Sequence, residues 1–199
     1  MNEVVSDEEI LAGVRSGDKS ACDLCIEKHG PSLYRLALRL MQNEADAEDV
    51  VQETFLNAFK AIDSFEGRSG LGTWLYRITY NNVMMRLRGS SPDIVSVDST
   101  LDLGEEGYVV PQQFFDWCCL PEEDFHSEEV RLELEKAIRT LSPTLSSTFI
   151  LRDLEGLSTR ETAVALDTSE DVVKTRLRRA RLHLREVLSD YFAERAELS

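Results

Sequence analysis

Between Val172 and Arg185 the chain reads VVKTRLRRARLHLR, with six Lys/Arg and no Asp/Glu, in a protein that carries 22 Lys+Arg against 37 Asp+Glu and a net charge of −15. Two stripes are written over this stretch at once. Val173, Leu177, Ala180, Leu184 and Leu188 recur at helical spacing, and Lys174, Arg178, Arg181 and Arg185 recur at the same spacing on another face. A helix separates two such sets, one buried and one exposed. The exposed set calls for a polyanion: cations on a helix gain affinity for nucleic acid by releasing counterions, and a helix can read base edges in the major groove. The competing reading is a solvated surface helix, against which stands the lack of any compensating acid in the segment.

The residues upstream narrow the choice. Ser158-Thr159-Arg160-Glu161 has the form of a capping box, which starts a helix. That helix is short and ends near Leu166. Asp167-Thr168 makes a turn, and Ser169 is placed to cap the basic helix. A short capped helix, a tight turn and a longer basic helix make a helix-turn-helix. The first residues of a recognition helix reach the bases, so Lys174, Thr175, Arg178 and Arg179 are the candidate base or phosphate contacts. Ser158, Thr159 and Arg160, at the start of the preceding helix, are candidates to grip a phosphate through backbone N–H groups. Further upstream, Val130, Leu134, Ala137, Ile138 and Leu141 form an apolar stripe, Ser142-Pro143 opens a helix with proline at its first position, and Gly156 suits a helix end.

The first 92 residues read as helices throughout. Leu33, Leu36, Ala37 and Leu40 form one stripe, and Ala47, Val51, Phe55, Ala58 and Ile62 a second. The opposite face of the second helix shows Asp46, Asp49, Gln52, Glu53 and Asn57. Such a face is either plain wet surface or a dock for a basic helical partner, with exposed Leu56 adding apolar contact. Three glycines between positions 67 and 72 permit positive φ and separate the helices. The following helix, Thr73 to Arg88, is expected to pack through Leu71, Leu75, Ile78 and Met85, with Trp74 in the core, and to show Arg77, Tyr80, Met84 and Arg88 outward. Rings and guanidinium groups stack on unpaired bases, so this face suits single-stranded nucleic acid. Ordinary helix surface is the alternative.

Charge also marks the boundaries. Residues 93–127 hold no basic residue and a net of −9, against −4 before and −2 after. With Gly104, Gly107 and Pro111 and no sustained helical period, this segment reads as a linker between domains 1–92 and 128–199. Tyr108, Phe114, Phe115, Trp117 and Phe125 set it apart from a plain tether. No run of 18 apolar residues occurs and the N-terminus has no basic-then-apolar leader, so no membrane insertion and a cytoplasmic location are expected. Cys22, Cys25, Cys118 and Cys119 suggest a metal set on paper, with His29 nearby. The stronger reading places Cys22 and Cys25 in a helical core, with no metal and no cofactor.

Taken in order, the pieces resemble the extracytoplasmic-function (ECF) class of bacterial RNA polymerase sigma factors. The residues that carry the resemblance are His29 to Ala37 (HGPSLYRLA), Asp46 to Phe55 (DAEDVVQETF), Thr73 to Ile78 (TWLYRI) with Asn81, Leu151 to Ser158 (LRDLEGLS) and Val173 to Arg181 (VKTRLRRAR). They span roughly residues 20–92 and 128–190, the family's regions 2 and 4. The resemblance implies an all-α protein of two small helical domains joined by the acidic linker. Asp46, Asp49, Gln52, Glu53 and Leu56 would bind the clamp helices of the largest subunit of core RNA polymerase, and the C-terminal domain the flap of the second largest. Phe65, Arg68, Ser69, Arg77, Tyr80, Asn81 and Arg88 would melt the promoter −10 element and hold a flipped base. Lys174, Thr175, Arg178 and Arg179 would read the −35 element, supported by Arg176, Arg181 and the turn at Ser158, Thr159 and Arg160. Promoter DNA and an anti-sigma factor are the other implied partners, and no catalytic residue is implied.

Asp167 and Asp171 depart from the family, which often has glycine there. Asp167 tolerates a left-handed turn, and Asp171 stands where it can repel phosphate. Competing functions are a sigma mimic that titrates an anti-sigma factor, and a helix-turn-helix regulator acting without polymerase. The first lacks its usual attached receiver domain, and the second leaves the N-terminal motifs unexplained. An enzyme has no convergent Ser/His/Asp set or phosphate-binding glycine fingerprint behind it.

Overall fold

The structure is a computed structural model that describes residues 5–90 and 128–197. Among these residues every element is helical. The first unit contains α1 (Asp7–Arg15), α2 (Lys19–Met41), α3 (Glu44–Ala61), a 3-10 turn (Ile62–Ser64) and α4 (Leu71–Ser90). The second contains α5 (Glu128–Arg139), α6 (Pro143–Phe149), a π turn (Ile150–Leu154), α7 (Thr159–Ala165) and α8 (Glu170–Glu197).

Local chemistry sets most of the starts. Ser6 and Glu9 form a capping box on α1, Asp18 accepts from the Ser20 N–H at α2, and Asn43 accepts from the Asp46 N–H at α3. Pro31 lies inside α2, which continues across it because α1, α3 and α4 all pack on this helix. Leu33, Leu36, Ala37 and Leu40 are buried at its centre. In α3 the buried stripe is Ala47, Val50, Thr54, Phe55 and Ala58, so Val50 takes the place expected of Val51, which is half-buried.

The α4 helix departs most from the expected pattern. Met85, expected inside, is 67% exposed, while Val83 is fully buried. Thr79 and Asn82 also occupy the core. Their polarity is satisfied there: Thr79 Oγ1 donates to the Leu75 carbonyl, and Asn82 Nδ2 donates to Thr54 Oγ1, which donates to the Val50 carbonyl. A hydrogen-bonded polar group is tolerated in a core where an unpaired one is not. Tyr80, expected outside, is 9% exposed. The α4 helix packs on α2 and α3 within the first unit and on α7 of the second.

In the second unit α8 lies across α5, α6 and α7. Val173, Leu177, Ala180, Leu184 and Leu188 are all buried, as the sequence pattern requires. Gly156 has φ +74°, where a side chain would be strained, and it turns the chain from the π turn into α7.

Two expected outcomes test this packing. Leu75→Ala should destabilise the protein by about 2–5 kcal/mol and Met85→Ser by no more than about 0.5 kcal/mol, read from urea unfolding midpoints. The second concerns pH. Burial holds the His29 imidazole below its ordinary 6.5, against the opposing pull of Asp7, whose Oδ1 lies 3.1 Å from Nε2. The unfolded chain takes up this proton more readily than the folded one. The contribution is therefore full above pH 6.5 and is lost as pH falls through the lower folded value. Unfolding at pH 7.5 and 5.5 should show a drop in stability that His29→Gln reduces.

Candidate nucleic-acid interface and acidic docking face

The burial of one side of α8 fixes what the other side shows. Lys174, Thr175, Arg178 and Arg181 are exposed, and Arg176, Arg179 and Arg185 are half-buried. Lys174, Leu177, Arg178, Arg181, Leu182 and Arg185 line one shallow basic groove. The cations are not uncompensated, as the segment alone suggests. Arg181 makes a bidentate pair with Asp153 of the π turn, at 2.9 Å from Nε to Oδ2 and 2.7 Å from Nη2 to Oδ1, and these bonds raise the guanidinium's pKa. Lys174 Nζ donates to Asp171 Oδ1 at 3.0 Å, so Asp171 holds a cation of the reading face. Asp153 lies 28 residues before Arg181, and no helical period links the two.

The turn that presents this helix is built as expected. Ser158 and Glu161 form the capping box: the Glu161 N–H donates to Ser158 Oγ at 3.2 Å and the Ser158 N–H to Glu161 Oε2 at 2.8 Å. The Ser158 N–H is thus already bonded to Glu161, which corrects its expected role as a phosphate donor and leaves Thr159 and Arg160 for that part. Asp167 has φ +53° and supplies the left-handed turn residue. Its Oδ1 also accepts from Arg77 Nη2 of α4 at 2.8 Å.

The candidates for single-stranded contact divide. Arg68, Asn81 and Arg88 are exposed, and Ser69 and Arg77 are half-buried. Phe65 is 7% exposed, its ring centroid 5.0 Å from that of half-buried Trp74, and its carbonyl accepts from Arg15. Tyr80 is 9% exposed. The expected aromatic face is therefore partly covered, and Arg77 is engaged by Asp167.

On α3, Asp49, Gln52, Glu53 and Leu56 are exposed and Asp46 is half-buried. Arg86 of α4, which the sequence pattern did not single out, stands over this stripe. Its guanidinium lies 3.4 Å from Asp49, 3.5 Å from Glu53 and 3.8 Å from Asp46. Beside the acids runs an apolar groove of about 390 Å³ lined by Ile26, Tyr34, Val51, Phe55, Leu56 and Phe59 together with Glu48 and Gln52. Ile26 and Leu56 are 42% and 54% exposed. Acid and exposed apolar side chains thus share one face of α2 and α3.

Cys25 is 2% exposed, and burial pushes its thiol up to about 11, which suppresses the reactive thiolate. Cys22 is half-buried, with its pKa raised by burial and by the nearby Asp23 and Asp18. Among the described residues no group of three or more His, Cys, Asp or Glu is placed to hold a metal, and no helix is long and apolar enough to cross a membrane. Cys118, Cys119 and the linker aromatics lie outside the described residues.

Two family models match this chain: Sigma-70 region 2 over residues 25–91 and Sigma-70, region 4 over residues 131–184. The chain is 32% identical over 187 residues to the ECF RNA polymerase sigma factor SigE of Mycolicibacterium smegmatis, covering 92% of this chain and 68% of that protein. It is 33% identical over 184 residues to the ECF RNA polymerase sigma-E factor of Escherichia coli K12, covering 91% and 93%. Among solved structures it is similar to CnrH in complex with the cytosolic domain of CnrY, with a TM-score of 0.62 at 25% identity over 92% of this chain and 96% of that one. It is also similar to the sigma factor RpoE in complex with the anti-sigma factor NepR from Bartonella quintana, with a TM-score of 0.58 at 25% identity over 82% and 93%. The helix-turn-helix and the acid-faced helix thus fall within two matched regions of one family, in the family's order. The chain belongs to the extracytoplasmic-function class of RNA polymerase sigma factors.

The Arg181–Asp153 pair generates a prediction. Asp153→Ala should leave Arg181 available to phosphate. Binding to a random-sequence 20-base-pair duplex should tighten about 3-fold or more at 50 mM salt. The slope of log affinity against log salt should steepen by about one contact. Fluorescence anisotropy over a salt series reads both.

Proposed function

We propose that this protein binds core RNA polymerase and directs it to promoters, reading the −35 element with α8 and the −10 element with α4 and the loop before it, where it assists melting. The observation that carries this reading is the segregation of two chemically opposite faces on one chain. An acidic and apolar face lies on α2 and α3, and a basic helix-turn-helix face lies on α8. A regulator that bound DNA without polymerase would need only the second.

The acidic face, with Asp46, Asp49, Gln52, Glu53 and Leu56, docks the clamp helices of the largest subunit, and the C-terminal unit meets the flap of the second largest. Lys174, Thr175, Arg178 and Arg179 contact −35 bases and phosphates; Arg176 and Arg181 support them, together with Thr159 and Arg160. Arg68, Ser69, Arg77, Asn81 and Arg88 contact the melted −10 strand, and Phe65 and Tyr80, both buried in this structure, belong to the same set. The working units are residues 1–92 and 128–199, joined by the acidic linker 93–127. The protein works in the cytoplasm, and the bond-making chemistry of transcription belongs to the polymerase. The solved relatives CnrH and RpoE were captured with CnrY and with an anti-sigma factor, which supports an anti-sigma partner for this chain too.

Purified protein mixed with core polymerase and a promoter library should yield transcripts that start downstream of one shared pair of elements. A folded protein that produces no such initiation overturns the reading and favours the sigma mimic. Two substitutions separate the faces. Arg179→Ala should weaken −35-dependent initiation by about 1–3 kcal/mol, 5- to 150-fold, without changing core affinity. Asp49→Lys should weaken core affinity, measured by titration with labelled polymerase, and leave duplex binding unchanged.

A further inference from the structure

The leading turn of α8 carries an acid that a basic face does not call for. Asp171 is the second residue of the helix, and its side chain is 91% exposed. With Thr175 and Arg178 it recurs at i, i+4 and i+7, so the three share one exposed face. Ser169 caps the helix just before it, accepting from the Val172 N–H at 3.3 Å. Thr175 Oγ1 donates to the Asp171 carbonyl at 2.9 Å, which braces the second turn on the first. Lys174 Nζ donates to Asp171 Oδ1 at 3.0 Å, and that bond raises the pKa of the ammonium. Lys174 in turn lines the basic groove with Arg178 and Arg181. An acid and a cation are therefore held side by side at the end of the helix that reaches the bases.

A first-turn acid also suits the helix dipole. Glu170, in the same turn, already supplies that charge. A carboxylate facing DNA repels phosphate, so it weakens binding to every duplex alike unless a base donor meets it. In the major groove the base donors are the amino groups of cytosine and adenine. An ionised carboxylate only accepts, so guanine O6 and N7 and thymine O4 offer it nothing. The ammonium beside it is the reverse: one of its three N–H donors is on Asp171, and two remain for acceptors. A cytosine–guanine pair presents the cytosine amino group next to both guanine acceptors, which complements the acid and the ammonium together. An adenine–thymine pair sets its acceptors on either side of the amino group, so the ammonium reaches only one.

We propose that Asp171 is a specificity-determining residue of the duplex-reading helix, and that with Lys174 it selects a cytosine–guanine pair. Asp171 Oδ2 accepts from the cytosine amino group while Lys174 Nζ donates to guanine O6 and N7. This rests on the proposed function, in which α8 reads the −35 element. The arrangement acts in two directions: it favours one base pair and, by keeping an acid among the cations, weakens attachment to all others. A residue that only stabilises the helix does neither.

The test is selection of random-sequence duplexes by the full chain at 50 mM salt, followed by sequencing of the bound pool, with circular dichroism to confirm that each variant folds. The wild type should enrich a cytosine–guanine pair at one position by about 5-fold or more. Asp171→Ala should lose that preference, keep those at other positions, and bind the unselected pool about 2-fold more tightly, because a phosphate-repelling acid is gone and Lys174 is released. Asp171→Asn, which turns one acceptor into a donor, should lose the cytosine and move toward adenine. A wild type that enriches no such pair overturns the proposal. So does either variant if it folds and keeps the cytosine preference, or if it folds and loses every preference at once. No polymerase takes part in the selection, so failure here and failure of promoter-directed initiation with core polymerase are separate results.

Discussion

The rest of the structure depends on which side of α8 is buried. Val173, Leu177, Ala180, Leu184 and Leu188 lock the helix against α5, α6 and α7, and that contact sets its rotation. A rotation by one residue would carry Lys174 and Arg178 toward the core, where each ion costs several kcal/mol to desolvate. The same contact that stabilises the second unit therefore aims its cations. Presentation of the basic face is a consequence of core packing, and the capping box at Ser158 and the left-handed Asp167 bring the chain into that register.

Each charged face carries its own counter-charge. Asp153 and Asp171 hold cations of the basic helix, and Arg86 stands among the acids of α3. These pairs are weak by construction. Arg181 and Lys174 keep 57% and 63% of their side-chain surface in water, and the Arg86 contacts are 3.4 Å or longer. Pairs this exposed contribute little, because water and salt screen them. An incoming phosphate or basic partner can replace such a contact at little net free energy. The internal partner keeps the face from engaging every polyanion or polycation it meets. Glu155 is different, because its carboxylate is buried and multiply bonded, and it has no equally cheap exchange.

The sequence made the second unit legible because, among the described residues, every buried position of α8 is apolar, and the exposed positions of the stripe Lys174, Arg178 and Arg181 are all basic. Caps were legible for a related reason: Ser158 and Glu161 act across one turn, so their spacing is their geometry. The α4 helix was read less well. Thr79 and Asn82 sit in core positions that a hydrophobic period skips, and their hydrogen bonds to Leu75 and Thr54 become apparent only when helices are packed. Tyr80 is buried where the local pattern points outward, because the packing around α4 involves helices from both units and a local period carries no information about it. Long-range pairs were silent in the same way. Arg35 and Glu155 are 120 residues apart, and Arg181 and Asp153 are 28 apart, so periodicity carries no information about either. Asp153 lies outside the basic segment, so the charge pattern along that segment does not contain it.

The two units are held by different physics within and between. Inside each, apolar side chains such as Leu36, Leu75, Ile138 and Leu151 are wholly enclosed, and no aqueous partner can substitute for that contact. Between them the specific contacts are Arg35 and Tyr76 to Glu155, Arg39 to Glu135 and Arg77 to Asp167, chemistry that phosphates and basic helices can also offer. In each of these contacts the donor belongs to the first unit and the carboxylate to the second, so the junction has a polarity that the apolar cores lack, and its strength depends on salt where theirs does not.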